Sequence, residues 1–177
     1  MVFTGDYGFD TGLLLDFIQK LSFRTGSARL KKFQIKHSEG NSGLYGDTWR
    51  GYLSPTKNRV WDEKRKRFMT KLKSDNPELE SIFQEFRDFH FPDFEFSQVQ
   101  INLNYKIPRH IDGANVGKSY LVCLGNYTGG LTCIEYSKDN IKKVDGRKEP
   151  ISFDGSKYYH WVEDFEGDRY SLVFFDY

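Results

Sequence analysis

A chain of 177 residues and 20.8 kDa has room for one domain with a sizeable core, and not for two. Aromatics make up 17% of it, charged residues 29%, and the net charge is +1; the interior should lean on Phe and Tyr, and the balance argues against a protein that coats nucleic acid by bulk electrostatics, though not against a local basic strip. Cys123 and Cys133 are too few for a disulfide scaffold, no stretch nears the roughly 18 apolar residues of a membrane span, and the N-terminus lacks the pattern of a signal peptide, so a soluble, intracellular protein of cytoplasm or nucleus is expected, with no membrane partner.

In chain order, Leu13, Leu14, Leu15, Phe17, Ile18 and Leu21 predict a helix over 13–21 with Thr11 as its cap. A strand is expected at Leu30–Lys36, then a Gly/Ser/Asn loop from Ser38 to Gly46. Residues 60–73, carrying Trp61, Phe68, Met69 and Leu72, read as a second helix. A third starts at Asn76-Pro77, with Leu79, Ile82, Phe83, Phe86 and Phe89 along one face. Near residue 96 the period changes to two. Val99, Ile101, Leu103 and Tyr105 alternate with Gln98, Gln100, Asn102 and Asn104, which predicts a half-buried strand. Further strands are expected at Ser119–Leu124, Leu131–Tyr136, Ile151–Phe153, Tyr158–Val162 and Tyr170–Phe175, separated by Gly-containing turns.

Helices first and short strands afterwards predict an α+β domain over 1–177: a helical support region, 1–96, packed on one face of a sandwich or jelly-roll core, 97–177. Residues 57–73 hold eight Lys/Arg against Asp62 and Glu63, and residues 74–97 hold seven Asp/Glu against Arg87. Two solvated helix faces that partly neutralise each other explain this; a partner-binding strip is the other reading.

The four histidines are His37, His90, His110 and His160. In His110-Ile111-Asp112 the first and third side chains of an extended chain share a side, so imidazole and carboxylate can meet one metal ion. His160, on an expected strand, can supply a third ligand, and two His with one carboxylate leave open positions on a metal. A turn Asp beside a surface His would produce the same spacing. Arg169 and Ser171 also share a face; a guanidinium on an otherwise apolar closing strand is expensive to bury without an anion, and it pairs with a carboxylate in a two-pronged fashion. An Arg reaching to solvent beside Asp168 is the plainer alternative.

The ordered set His110-x-Asp112, His160, Arg169-x-Ser171 resembles the Fe(II)/2-oxoglutarate-dependent dioxygenases, whose core is a double-stranded β-helix, a cupin-like jelly roll. The resemblance covers roughly residues 97–177. Within that superfamily the stretch Asn102-Leu-Asn104-Tyr-Lys-Ile-Pro-Arg-His110-Ile-Asp112-Gly-Ala-Asn115-Val-Gly117-Lys-Ser119, followed by Leu124-Gly125-Asn-Tyr127-Thr-Gly129-Gly130-Leu131, is similar to the TET/JBP-like branch, which oxidises methyl groups of modified pyrimidines. The chain lacks the Cys-rich modules of the animal enzymes of that branch, and Phe175 stands where AlkB-type repair enzymes carry a second Arg.

The resemblance implies a dioxygenase acting as a hydroxylase, with His110, Asp112 and His160 holding Fe(II). It implies 2-oxoglutarate and O2 as co-substrates, the distal carboxylate of 2-oxoglutarate being gripped by Arg169 and Ser171. Asn104, Tyr105 and Ser119 are candidates to contact 2-oxoglutarate or orient a ligand, against a reading as ordinary strand and turn residues. Tyr159 and Trp161, flanking His160, are expected to point away from it and pack. A nucleobase substrate would need phosphate contacts, for which the basic 57–73 segment is the candidate, and a stacking surface, for which Trp49, Tyr52 and Trp61 are. A hydroxylase of a protein side chain or small metabolite, a cupin-type isomerase that does not use Arg169, and a non-catalytic jelly-roll binding module are the competing functions.

Overall fold

The computed structural model describes residues 2–22, 40–47, 59–64 and 67–176. The expected strand at Leu30–Lys36, together with His37, Trp49 and Tyr52, lies outside the described residues.

Helix α1 (Tyr7–Ile18) starts earlier than expected. Asp6, not Thr11, is its cap, accepting the Phe9 amide at 2.7 Å, while the Thr11 hydroxyl donates back to the Gly8 carbonyl within the helix. Gly8 and Gly12, poor helix formers, hid the first turn from a propensity reading. Strand β1 (Asn41–Gly46) replaces most of the expected loop. Its small residues fit a sheet edge, and the Ser42 hydroxyl finds a partner in Asn102 at 3.0 Å.

The expected helix over 60–73 is instead a hairpin, β2 (Arg59–Asp62) with β3 (Arg67–Thr70), followed by the short α2 (Lys71–Asp75). In the ladder's register Val60 stands opposite Met69 and Trp61 opposite Phe68, residue types that favour strands. Asp62 accepts the Lys64 amide at 3.0 Å and turns the chain. Helix α3 (Leu79–His90) buries Leu79, Ile82, Phe83 and Phe86, as its spacing requires, and leaves Phe89 exposed.

The remaining strands are β4 (Gln98–Leu103), β5 (Ser119–Leu124), β6 (Tyr127–Gly129), β7 (Thr132–Ser137), β8 (Asn140–Val144), β9 (Ile151–Phe153), β10 (Tyr159–Val162), β11 (Phe165–Gly167) and β12 (Tyr170–Phe175). They form a five-stranded sheet in the order β1-β4-β12-β5-β9, a three-stranded sheet β10-β7-β8, and the pair β11-β6. Every registered pairing is antiparallel. The architecture is thus mostly antiparallel sheet with few helices. The large sheet takes β1 from before residue 96, so the helical and strand portions interleave.

Each face of the large sheet is covered. On one side Val99, Ile101, Val122, Leu124, Leu172 and Phe174 pack with Leu14, Ile18, Phe83 and Phe86 of the helices. Phe83 meets Phe174 edge-on at 5.7 Å and Phe91 stacks on Tyr120 at 4.6 Å, contacts worth about 0.5–1.5 kcal/mol each beyond burial. On the other side Leu121, Cys123 and Phe153 pack against Ile134 and Val144 of the small sheet. This corrects the half-buried reading of β4: Gln98, Gln100 and Asn102 are buried too, their side-chain amides donating to the Asp47 carbonyl, to Ser42 and to Ser171. No helix among the described residues is long and apolar enough to cross a membrane.

The N-terminal layer has its own polar anchor. Asp10 in α1 accepts from the Thr4 amide and hydroxyl, the Gly5 amide and His90 Nε2, all at 2.8 Å. Burial alone would raise its pKa, yet these hydrogen bonds outweigh it and hold the carboxyl below the usual aspartate range. One side chain thereby ties the N-terminal segment and α1 to the end of α3.

Candidate active site

The chain reaches the site by leaving one sheet for the other. After Leu103 it turns at Asn104 (φ 51°) and sends Tyr105 and Ile107 into a small apolar cluster with Val162. The Val162 amide donates to the Ile107 carbonyl at 3.0 Å, so this segment runs antiparallel to β10. His110 and His160 then pair through their own backbones, the amide of each donating to the carbonyl of the other at 3.1 and 3.0 Å. Asp112 is held by its amide, which donates to the Gly155 carbonyl at 2.9 Å. The turn carrying Gly155 is itself fixed by Asp154, which accepts from the Ser156 amide and hydroxyl at 3.1 and 2.6 Å.

The side chains converge. His110 Nδ1 donates to the Pro108 carbonyl at 2.7 Å and His160 Nδ1 to the Tyr158 carbonyl at 2.9 Å. A carbonyl can only accept, so each bond assigns the proton to Nδ1 and leaves Nε2 of the neutral ring an acceptor. Those Nε2 atoms face Asp112, His110 to Oδ1 at 3.4 Å and His160 to Oδ2 at 3.3 Å. The rings lie 4.1 Å apart, and both histidines are buried. Two imidazole lone pairs and a carboxylate within 4.8 Å of one another form a set that could hold a metal ion. With both rings neutral, acceptors face acceptors there, and a cation among them removes the conflict.

The same cavity is bordered at another point by Arg169. Only 2% of Arg169 is exposed. Its Nε donates to the Gly130 carbonyl at 3.0 Å, and its Nη2 to Thr132 Oγ1 at 3.3 Å and Cys123 Sγ at 3.4 Å. Burial pushes the Cys123 thiol up, so it stays neutral there. A carbonyl, a hydroxyl and a thiol are all uncharged, and no carboxylate pairs with this guanidinium among the described residues. A buried cation so placed calls for an anion. Ser171 also borders the cavity; its hydroxyl accepts from Asn102 Nδ2 at 3.2 Å, the inner end of a row reaching to Ser42 across the sheet. Ser119 Oγ, likewise on the wall, is buried with no hydrogen-bond partner among the described residues.

No protein-family model and no curated protein matches the chain. Solved structures do. A 2OG-Fe(II) oxygenase family oxidoreductase from Burkholderia pseudomallei matches with TM-score 0.56 at 15% identity, over 93% of this chain and 76% of that one. NgTET1, in complex with 5mC DNA, matches with TM-score 0.53 at 16% identity, over 94% and 68%. A prolyl-4-hydroxylase from Pseudomonas putida matches with TM-score 0.50 at 13% identity, over 98% and 88%. The chain has the fold of the 2-oxoglutarate–Fe(II) oxygenases.

Within this oxygenase fold the expected residues fall into two groups. His110, Asp112, Ser119, His160, Arg169 and Ser171 all border one cavity. Asn104 and Tyr105 are not on its wall. Asn104 bonds to the backbone of Arg169 from behind, and Tyr105 packs against Ile107 and Val162. Trp161, expected to pack away from His160, borders the cavity, whereas Tyr159 lies beneath the Arg109 guanidinium, 3.6 Å from its ring centre. Sequence reasoning missed Thr132, Asn102 and the carbonyl of Gly130. Only the period-two pattern of their strands could have placed Thr132 and Asn102 on the inner face. Gly130 (φ 66°) is recognisable only in space: a Cβ there would lie 3.0 Å from Arg169 Cδ.

Proposed function

We propose that the protein is an Fe(II)- and 2-oxoglutarate-dependent hydroxylase with its two facing sheets arranged as a double-stranded β-helix, and that its substrate is a methylated nucleobase. The observation that carries this reading is the joint presence, on one cavity, of the His110–Asp112–His160 set and a buried Arg169 whose partners among the described residues are all neutral. The donor set suits Fe(II), and Arg169 suits the far carboxylate of a dicarboxylate co-substrate. The residues present therefore fit both groups.

In this reading His110 Nε2, Asp112 and His160 Nε2 hold the metal. The Pro108 and Tyr158 carbonyls keep each ring in the required tautomer. Arg169 receives the distal carboxylate of 2-oxoglutarate, with Ser171 adding a hydrogen bond and Ser119 offering its hydroxyl to the bound co-substrate. Leu121, Phe153, Val162 and Val173 line the cavity with apolar surface that excludes water. Fe(II) with 2-oxoglutarate and O2, once bound, supplies the oxidising power that hydroxylates a C–H bond, with succinate and CO2 as co-products.

The nucleobase reading is supported by the 102–131 stretch and by the fold shared with NgTET1. The basic 57–73 segment, with Trp61 exposed on β2, offers phosphate contacts and a stacking surface. Anaerobic addition of Fe(II) and 2-oxoglutarate is expected to give the weak visible charge-transfer band of the chelate, and succinate release should rise on methylated DNA or RNA but not on peptides or metabolites. Neutralising Lys64–Arg67 should remove the stimulation by nucleic acid. A folded protein without the band would instead be a binding module, and stimulation by a peptide or metabolite alone would reassign the substrate.

A further inference from the structure

The entry of β12 is held by an unusual device. The ladder between β4 and β12 ends at the pair Leu103–Tyr170. One residue further, the Asn104 amide donates to the Arg169 carbonyl at 2.8 Å. The return bond does not come from a main-chain carbonyl: the Arg169 amide donates to the side-chain Oδ1 of Asn104, also at 2.8 Å. Asn104 Nδ2 donates in turn to Asp168 Oδ1 at 3.0 Å.

This geometry needs an unusual backbone. Asn104 is the one non-glycine residue with positive φ among the described residues, a conformation that Asn, Asp and Gly tolerate and most side chains do not. The turn swings the Asn104 amide group back over β12 while the main chain departs toward His110. Opposite it the chain is closed in as well. The Asp168 amide donates to the Asn126 carbonyl at 3.0 Å, and a Cβ on Gly125 would lie 2.2 Å from the Asp168 carbonyl oxygen. The Asp168-Arg169 backbone is therefore gripped from both sides before the long arginine side chain begins. An arginine has enough rotatable bonds that its head is only as well placed as its root and its neighbours allow.

We infer that Asn104 is a positioning residue for Arg169: its side-chain amide fixes the backbone from which the guanidinium reaches the co-substrate carboxylate. The inference rests on the reading of Arg169 given above and deepens it. It assigns Asn104 no contact with the co-substrate.

The test uses the full chain loaded with Mn(II) under anaerobic conditions, so that binding is read without turnover. Calorimetry gives the affinity for Mn(II) and for 2-oxoglutarate, and amide hydrogen exchange reports the Arg169 N–H. Asn104→Gly keeps the backbone turn and deletes the acceptor. It should weaken 2-oxoglutarate binding about tenfold, the scale of one lost hydrogen bond that had organised a charged contact, and unprotect the Arg169 amide, with Mn(II) affinity unchanged. Asn104→Asp alone should also weaken 2-oxoglutarate binding, because it sets two carboxylates against each other at Asp168. Combining it with Asp168→Asn recreates the same bonds with the donor reversed and should restore binding.

Three results would overturn the inference: unchanged 2-oxoglutarate affinity in Asn104→Gly, an equal loss of Mn(II) affinity that marks a general disturbance, or no recovery in the double variant. If wild type fails to bind 2-oxoglutarate, or Arg169→Ala binds it as wild type does, the co-substrate reading itself falls and takes the inference with it. In that case the Arg169 amide would still respond to Asn104→Gly, which separates the two failures.

Discussion

Two clusters among the described residues join buried histidine to aspartate, and they are built on opposite principles. Around Asp10 the carboxylate is surrounded by donors: the Thr4 amide and hydroxyl, the Gly5 amide and His90 Nε2. Around Asp112 stand the Nε2 atoms of two imidazoles whose Nδ1 protons are donated to the Pro108 and Tyr158 carbonyls. The first cluster is electrostatically complete and serves to fasten the helices. The second brings like groups together and gains by admitting a cation. Burial of a histidine beside an acid therefore carries no functional message on its own; the direction of each ring's hydrogen bond does.

The largest expected effect comes from removing the central acid of the second cluster. Asp112→Ala should abolish metal binding and succinate formation. Adding Mn(II) should raise the melting temperature of wild type and leave that of the variant unmoved. A melting temperature that rises with Mn(II) in the variant as it does in wild type would mean that the ion is held elsewhere.

Next in size is Arg169→Ala, which removes the buried cation that borders the same cavity. The 2-oxoglutarate requirement should rise about 30-fold or more, the usual cost of truncating one partner of a buried charged pair. Mn(II) affinity should hold, as calorimetry would report. A cupin-type isomerase would keep its activity in this variant.

The smallest effect sharpens the first cluster. Asp10→Asn should cost about 1–3 kcal/mol at neutral pH by denaturant unfolding, without touching metal affinity. Because the native carboxyl lies below its ordinary value, the unfolded chain takes up the proton first as pH falls. The stabilisation from Asp10 is therefore complete above the usual aspartate range near pH 4 and fades as pH drops through the lowered native value. The gap between wild type and Asp10→Asn should close on acidification. A gap that widens would reverse the sign of the argument.

How much could be read in advance depended on whether a feature was local. The bounds of β5, β9 and β12 follow from apolar runs between glycine-containing turns, and the structure reproduces them. The stripe of α3 was equally plain. The hairpin at 59–70 was read as a helix because basic residues interrupt its alternation, and pairing between β2 and β3 decided what period could not. Strand β1 passed for a loop because Gly and Ser signal turns, whereas here they suit an edge strand beside β4. Five residues of the cavity wall, His110, Asp112, His160, Arg169 and Ser171, stand out through their order and spacing. The part of Asn104 was not, since it depends on a positive φ and on the register between β4 and β12. Thr132 and the Gly130 carbonyl come from segments with no chemical signature of their own.

The reciprocal main-chain bonds between His110 and His160 have one more consequence. The two rings are spaced by peptide geometry, which persists whether or not anything sits between them. Loading is then a matter of occupying a rigid socket rather than of organising a floppy one, so little ordering entropy opposes it. On the metal reading proposed above, removal of the ion by a chelator and its return should leave the sheets undisturbed.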